Sequence, residues 1–449
     1  MGQDLFEKAS KLAEEVKENV IPKIKNDYLP KVKKGIGYAA DKASDAVEKA
    51  ADKASVMVSD AMVKAAKNPK FAVSDITRDE FMLTGRFARC GYDWWWHSFT
   101  GHDSETGEEK AFFVEYFMCN PALQEEEPVF GQLPENREQN KYPSYVMVKC
   151  GAWGENATQL HRFFAWKDVS VKAEAPFVIS ASDCFCSEGR IAGSVSVSAE
   201  ERDAHPEWMC DAGSMKWSLA VDKKIPYNVG YGASKPLRAA EAFEMYWHAE
   251  GMKTEYAGTV EYNGREYLVT PDTSYGYADK NWGSDFTSPW VWLSSNNLVS
   301  KKTGEKLNDS VFDIGGGRPC VLGFEFNDTL LGAMYYEGTE IEFNFSKAHM
   351  NPKTKFYCTE NDDEVIWHVE QKNSAYVMVT DIKCLKKDML FINYEAPDGA
   401  KLHNRLWNGG NGAGTIKLYS RIGDTKELID EIEVKNCGCE WGEFENINE

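Results

Sequence analysis

From residue 71 onward, apolar and polar positions alternate in short segments rich in β-branched and aromatic residues, with turn residues between them. Lys110–Met118, Tyr145–Lys149 and Arg190–Ser198 all read as strands, the last pairing small apolar residues with serines as a half-exposed strand does. Ile341, Phe343 and Phe345 alternate with Glu340, Glu342 and Asn344, which puts three apolar side chains on one face. Val365–Val369, Ala375–Thr380, Met389–Asn393 and Thr415–Tyr419 continue the series. Between Thr259–Tyr262 and Arg265–Thr270 stands Asn263-Gly264, which supplies the two positive-φ residues of a type I′ hairpin turn. Short strands at this spacing predict antiparallel barrels or sandwiches, not a βαβ fold. About 380 residues are too many for one such unit, so we expect two β domains, 71–298 and 299–449.

Residues 1–70 carry a different period. Leu5, Leu12, Val16, Val20 and Ile24 are helically spaced, with Pro22, Pro30, Gly35 and Gly37 as interruptions. Ala40, Ala43, Val47, Ala50, Ala54, Val58, Ala61 and Ala65 step by three and four until Asn68-Pro69. This predicts an α-helical N-terminal arm with a narrow, mostly alanine face. The face suits docking on its own domain or self-association with a sister subunit. Lysines flanking the Leu/Val stripe also allow peripheral membrane contact, which the interleaved acids weaken.

Charge sharpens the division. The chain of 449 residues has 51 Lys plus Arg and 71 Asp plus Glu, a formal charge of −20. Residues 1–70 hold 14 Lys, 11 acids and no Arg, hence +3, which leaves −23 and all 14 Trp to the remainder. So acidic a body argues against nucleic acid as a partner, since that role needs a basic surface. No run of 18 apolar residues offers a membrane span. The first residues lack the basic and apolar regions of a secretory signal, and reduced, packed cysteines in a cytoplasmic protein are expected. Cys184/Cys186 and Cys437/Cys439 each share a strand face, but no His or second close pair completes a site, so no metal is expected.

Common catalytic motifs are absent: no Gly-x-Ser-x-Gly elbow, no Walker loop, no His-Glu-x-x-His. Gly230-Tyr231-Gly232 lacks the third glycine of a dinucleotide loop. The runs Gly315–Gly317 and Asn408–Gly414 read as loops, the second a hairpin loop before the strand at Thr415. Aromatic clusters are more informative. In Trp94-Trp95-Trp96-His97, strand alternation places Trp94 and Trp96 on one face. In Tyr246-Trp247-His248-Ala249-Glu250, His248 and Glu250 share a face, as an acid–base pair or as a core histidine with its carboxylate.

The most unusual segment is Ser274-Tyr275-Gly276-Tyr277-Ala278-Asp279-Lys280-Asn281-Trp282-Gly283, followed by Phe286 and Trp290-Val291-Trp292. Tyr277–Gly283, with Phe286 and the Trp-x-Trp pair, resembles the signature of tocopherol cyclases, Tyr-x-x-Lys-Asn-Trp-Gly then Phe-Pro and Trp-x-Trp. Gly315–Gly317 and Cys437–Gly442 resemble family features more loosely. The resemblance spans roughly residues 80–445. It places the chain near carotenoid 1,2-hydratase-like and lipocalin-like Diels–Alderase proteins, and implies a mainly β protein of two tandem lipocalin-like barrel or sandwich domains holding a lipophilic small molecule. Thr287 stands where the family has Pro, and Asp279 where plant-type cyclases show Glu. With nothing like a plastid transit peptide in 1–70, the expected substrate is a hydrophobic molecule other than tocopherol.

The chemistry so implied is proton-initiated addition across a C=C bond: cyclisation, hydration or isomerisation, with no cofactor. It needs a dry pocket, a carboxyl kept protonated by burial, and aromatic faces to steady a carbocation. Asp279 and Asp272 are the first candidate acids, with His248 and Glu250 as an alternative pair. Tyr275, Tyr277, Lys280, Asn281, Trp282, Trp290 and Trp292, with Trp94, Trp96 and Trp247, are the candidate substrate-binding residues. A non-catalytic lipophile-binding protein on the same fold is the other expectation, and a structural protein led by the arm the third.

Overall fold

In the computed structural model, the structure describes residues 76–446 apart from 175, 230–240, 242, 322–323, 326, 346–351 and 424. The expected helical arm, its self-association and membrane contacts, and Gly230-Tyr231-Gly232 lie outside the described residues. Among the described residues, the chain forms two twelve-stranded antiparallel sheets and one two-stranded ribbon.

The first sheet comprises β1 (Tyr92–Asp103), β2 (Glu109–Cys119), β3 (Tyr145–Ala152), β4 (Thr158–Phe164), β5 (Val169–Lys172), β6 (Val178–Ala181), β7 (Cys184–Ser187), β8 (Arg190–Val197), β9 (Gly213–Tyr227), β10 (Met245–Tyr262), β11 (Arg265–Val269) and β12 (Gly276–Gly283). Its order is β4-β3-β2-β1-β11-β10-β9-β8-β7-β6-β5, and β12 pairs with both β1 and β10. Thus β11 and β12 lie end to end in one lane between β1 and β10. The sheet curls until Arg162 of β4 bonds the Ser194 carbonyl of β8 (3.2 Å), and Tyr116 reaches the Phe185 carbonyl (2.8 Å). Asn263 (φ 48°) and Gly264 (φ 79°) make the predicted turn, with Tyr262 paired to Arg265.

The second sheet comprises β13 (Trp290–Ser295), β14 (Asn297–Ser300), β15 (Val311–Gly317), then, after the ribbon β16 (Cys320–Val321) and β17 (Phe324–Glu325), β18 (Thr329–Tyr336), β19 (Thr339–Phe343), β20 (Lys353–Glu360), β21 (Glu364–Lys372), β22 (Tyr376–Leu385), β23 (Leu390–Glu395), β24 (Lys401–Ile422), β25 (Thr425–Gly442) and β26 (Glu445–Asn446). The path β19-β18-β15-β13-β25-β24-β22-β21-β20 curls so that Asn373 reaches the Glu342 carbonyl (2.9 Å) and Thr354 the Leu330 carbonyl (3.3 Å). The chain changes sheets between Gly283 and Trp290, not at 298/299 as expected, so Trp290 and Trp292 belong to the second sheet.

Period-two alternation divides the core. Val291 and Leu293 point into the second barrel with Phe312, Ile314 and Trp367. Trp290 and Trp292 point the other way and join the apolar cluster of the first barrel, with Trp96, Trp247, Ile392 and Tyr394. The two barrels therefore share a continuous aromatic seam.

Both glycine runs read as loops are strand interior: Gly315–Gly317 ends β15, and Asn408–Gly414 lies within β24. The reason is close approach. A Cβ on Gly315 would sit 2.7 Å from the Trp247 ring, and Cβ atoms on Gly410 and Gly438 would collide with the Trp153 and Trp292 rings. Three indoles are each seated on a glycine of another strand.

Candidate functional site

A cleft opens at the seam. Trp94 and Trp96 come from β1, Trp290 and Trp292 from β13, Tyr394 from β23, and Phe286 from the crossing between the sheets. Its free space is about 520 Å³ including the open mouth, and rings from both sheets wall it closely. The cleft is thus a narrow slot between rings. Tyr394 lies 5.6 Å from Trp94 and 5.0 Å from Phe286 between centroids.

Into this apolar slot the strands bring Asp279 (β12), Glu440 (β25) and Glu115 (β2). Asp279 is 9% exposed. Its Oδ2 accepts bonds from the Trp247 indole N–H (2.9 Å) and the Tyr277 hydroxyl (3.1 Å), while Oδ1 has no partner. Burial pushes its pKa up to about 8, against the two donors, and nearby Glu440 adds to the rise. Asp279 is therefore a protonated acid at neutral pH with one uncommitted oxygen. Glu440 accepts from the Trp290 indole and the Asn408 amide, both at 2.6 Å, and burial raises it to about 7. Asn408 is fixed in turn by the Trp153 N–H (2.7 Å). Glu115 pairs with buried Lys149 (2.8 Å), whose ammonium lies 4.2 Å from the Tyr394 centroid.

A fourth buried acid, Asp313 of β15, stands behind the wall. Its Oδ1 accepts from the Trp292 indole (3.1 Å), and its Oδ2 lies 3.4 Å from the Tyr277 hydroxyl. Burial, then Asp279, raises its pKa well above the usual range. His403 also lines the cleft, packed 4.1 Å from Tyr394. Burial, then Lys149, keeps the imidazole neutral, a bond to the Ile392 backbone opposes that, and Nδ1 has no partner. The buried indole N–H of Trp96 is likewise unpaired. Among the described residues, no group of three or more His, Cys, Asp or Glu is placed to hold a metal.

The structure sorts the expected site residues by strand face. Trp94, Trp96, Asp279, Trp290 and Trp292 line the cleft, and Trp247 and Tyr277 hold Asp279 from behind. Asn281 is buried and accepts the Tyr92 hydroxyl (2.7 Å). Lys280 and Trp282 point into the first barrel instead. There the Lys280 ammonium pairs with Asp93 and lies 3.5 Å from the Trp95 centroid, and Trp282 stacks on Tyr246. His248 and Glu250 also face that interior, where His248 meets Asp79 (3.2 Å) and Glu250 meets Lys223 (2.6 Å). Asp272 sits exposed in a short 3₁₀ turn, and half-buried Tyr275 lies under Lys306 (4.8 Å), both outside the cleft. Both Cys-x-Cys pairs are buried free thiols.

Sequence reasoning missed Glu440, Glu115, Asp313 and His403. Glu440 lies two residues from Gly438 on the strand that seats Trp292, but its indole partner is 150 residues away in the chain. Only strand pairing brings such groups together.

Comparison with known proteins gives a family match over part of the chain. Residues 231–443 match the model of the tocopherol cyclase-like family, so the resemblance read from Tyr277–Gly283 extends across β10 to β25. No curated protein matches the chain. Similar solved structures include a putative AttH from Nitrosomonas europaea, 12% identical, covering 82% of this chain and 98% of that one, with a TM-score of 0.40. Kievitone hydratase from Nectria haematococca is 10% identical, with coverage of 84% and 98% and a TM-score of 0.39. CghA with Sch210972 is 10% identical, with coverage of 78% and 88% and a TM-score of 0.38.

Proposed function

We propose that this protein is a cofactor-independent cyclase, hydratase or isomerase that protonates a C=C bond of a lipophilic prenyl, polyene or steroid-like molecule held in the seam cleft. One observation carries the reading: a buried Asp279 at the wall of an aromatic slot, with no partner on Oδ1 and a pKa that burial pushes up to about 8. The Oδ1–H bond breaks as a C–H bond forms from the alkene π pair. Trp94, Trp290 and Tyr394 present ring faces to the carbocation, each worth about 2 kcal/mol when desolvated. A hydroxyl of the substrate, or water, then closes on the cation, and its proton returns to the Asp279 carboxylate, the stronger base of the cleft, which restores the acid. Cyclisation leaves the mass unchanged and hydration adds one water. The free thiols suit a reducing compartment, which for this reading is the cytoplasm.

The test is incubation with a panel of prenyl-quinols, polyenes and sterols, read by mass spectrometry, for the wild type and Asp279→Asn. We expect a same-mass isomer or hydrate from at least one compound, formed about 10²–10⁴-fold more slowly by the variant. A compound that binds and returns unchanged from the whole panel would make the protein a lipophile carrier. Turnover equal in both proteins would remove Asp279 from the chemistry.

A further inference from the structure

Tyr277 is buried with its hydroxyl between two carboxyl groups, 3.1 Å from Asp279 Oδ2 and 3.4 Å from Asp313 Oδ2. A phenol has one proton, so it donates to one of these oxygens only. The other oxygen must then donate to the phenol, or two sets of lone pairs face each other in a dry site. Asp279 Oδ2 is the closer acceptor and already takes the Trp247 N–H. Asp313 Oδ1 takes the Trp292 N–H, which leaves its Oδ2 as the oxygen able to carry a proton. The groups facing Asp313 are Trp292, Tyr277, Ser294, Tyr227, Cys437 and Asp279. Those around Asp279 are Trp247, Tyr277, Glu440, Glu115, Tyr92 and Tyr394.

We infer that Asp313 is a positioning residue in its acid form: its Oδ2–H donates to Tyr277, which donates to Asp279 Oδ2, so the transferable proton of Asp279 is confined to Oδ1, the oxygen that no protein group binds. The chain Asp313, Tyr277, Asp279 sets a direction for the acid. Two donors on Oδ2 also stand ready to accept the charge left when that proton departs. This inference rests on the reading of Asp279 as the acid.

Infrared difference spectra of resting protein with ¹³C-labelled aspartate test it, whether or not any substrate is turned over. We expect two carboxylic-acid bands from buried aspartates at neutral pH, where Asp93, which burial raises to about 6 against Lys280, is mostly ionised. Asp279→Asn removes one band. Asp313→Asn removes the other and leaves the Asp279 band in place, because the amide N–H replaces the acid O–H as donor to Tyr277. Tyr277→Phe shifts the Asp279 band to higher frequency, since its carbonyl loses a donor. Asp313→Leu, which has no donor, shifts it the same way. The inference fails if Asp313→Asn removes no acid band, or if it moves the Asp279 band as far as Asp313→Leu does. Either result makes Asp313 an ionised acceptor of the Tyr277 proton.

Discussion

The interior of the first barrel and the seam between the barrels both bury several acids, yet they hold them with different partners. In the interior, each acid meets a cation. Asp93 pairs with Lys280, and Lys223 reaches Glu188 (2.5 Å), Glu250 (2.6 Å) and Asp79 (3.6 Å). Burial alone would raise all four; Lys223 and His248 outweigh it at Asp79 and hold it down at about 2, whereas Asp93 still rises to about 6, Glu188 to about 7 and Glu250 well above the usual range, against the cations beside them. At the seam, Asp279, Asp313 and Glu440 are held by indole, phenol and amide donors, and Lys149 beside them is taken by Glu115. Burial is common to both regions, so burial does not decide the role. A cation offsets the rise that burial causes, fully at Asp79 and in part at Asp93, Glu188 and Glu250, and ties the carboxyl into an ion pair. A neutral donor leaves it protonated and able to give the proton away.

Four experiments bear on this contrast, and the largest effect falls in the interior. Lys223→Met strands Asp79, Glu188 and Glu250 together, and breaking such a buried network costs about 3–5 kcal/mol. Urea denaturation should show the loss near neutral pH. An unchanged midpoint would mean that the interior acids do not depend on their cation.

Next is the stability of Asp279→Asn. The unfolded carboxyl titrates at 3.8 and the folded one at about 8, so the native state binds more protons between these values. Asp279 therefore costs stability increasingly as pH rises from about 4 to 8, on the order of a few kcal/mol by the upper end. The Asn variant should be more stable than wild type at pH 8 and show little gain at pH 4. Thermal melts across that range check the sign. A gain independent of pH would place a carboxylate, not an acid, in the cleft.

A smaller effect is expected for Trp290→Phe, which keeps the ring but removes the N–H donor to Glu440. Leaving that oxygen unpaired costs about 1–3 kcal/mol and should raise the Glu440 pKa further, read by NMR of ¹³C-labelled glutamate. A fall in that pKa would contradict the part assigned to the indole. Least of all, Asp272→Asn should change stability by no more than about 0.5 kcal/mol and leave turnover alone, because the residue is exposed and outside the cleft. A large effect there would show that an exposed acid shares in the chemistry.

Much of the fold was legible because alternation and turn chemistry are local. The Asn263-Gly264 hairpin, the strand at Glu109–Cys119 and the opposed faces of Trp94/Trp96 and Trp95/His97 all follow from residue spacing. What alternation does not say is what a face looks at. His248 and Glu250 do share one, as their spacing required, but it looks into a barrel and not onto the seam. Lys280 is turned inward by the same rule that turns its neighbour Asp279 toward the cleft. The glycine runs misled for a related reason. A glycine needed for a turn and one needed to admit an indole look alike until the indole is in place. Asp313 and Glu440 carried no local mark, since their roles come from tryptophans and tyrosine on other strands.

The seating of Trp247 on Gly315 and of Trp292 on Gly438 bears on how such a cleft changes over generations. Neither ring can be altered freely, for a smaller one leaves a void over bare backbone, and neither glycine can gain a side chain while its ring remains. The heritable unit is a pair lying far apart in the gene. Related chains that accept differently shaped molecules should therefore exchange ring and glycine together, or keep both and vary Phe286 and Phe444, which also line the cleft but have no such seat.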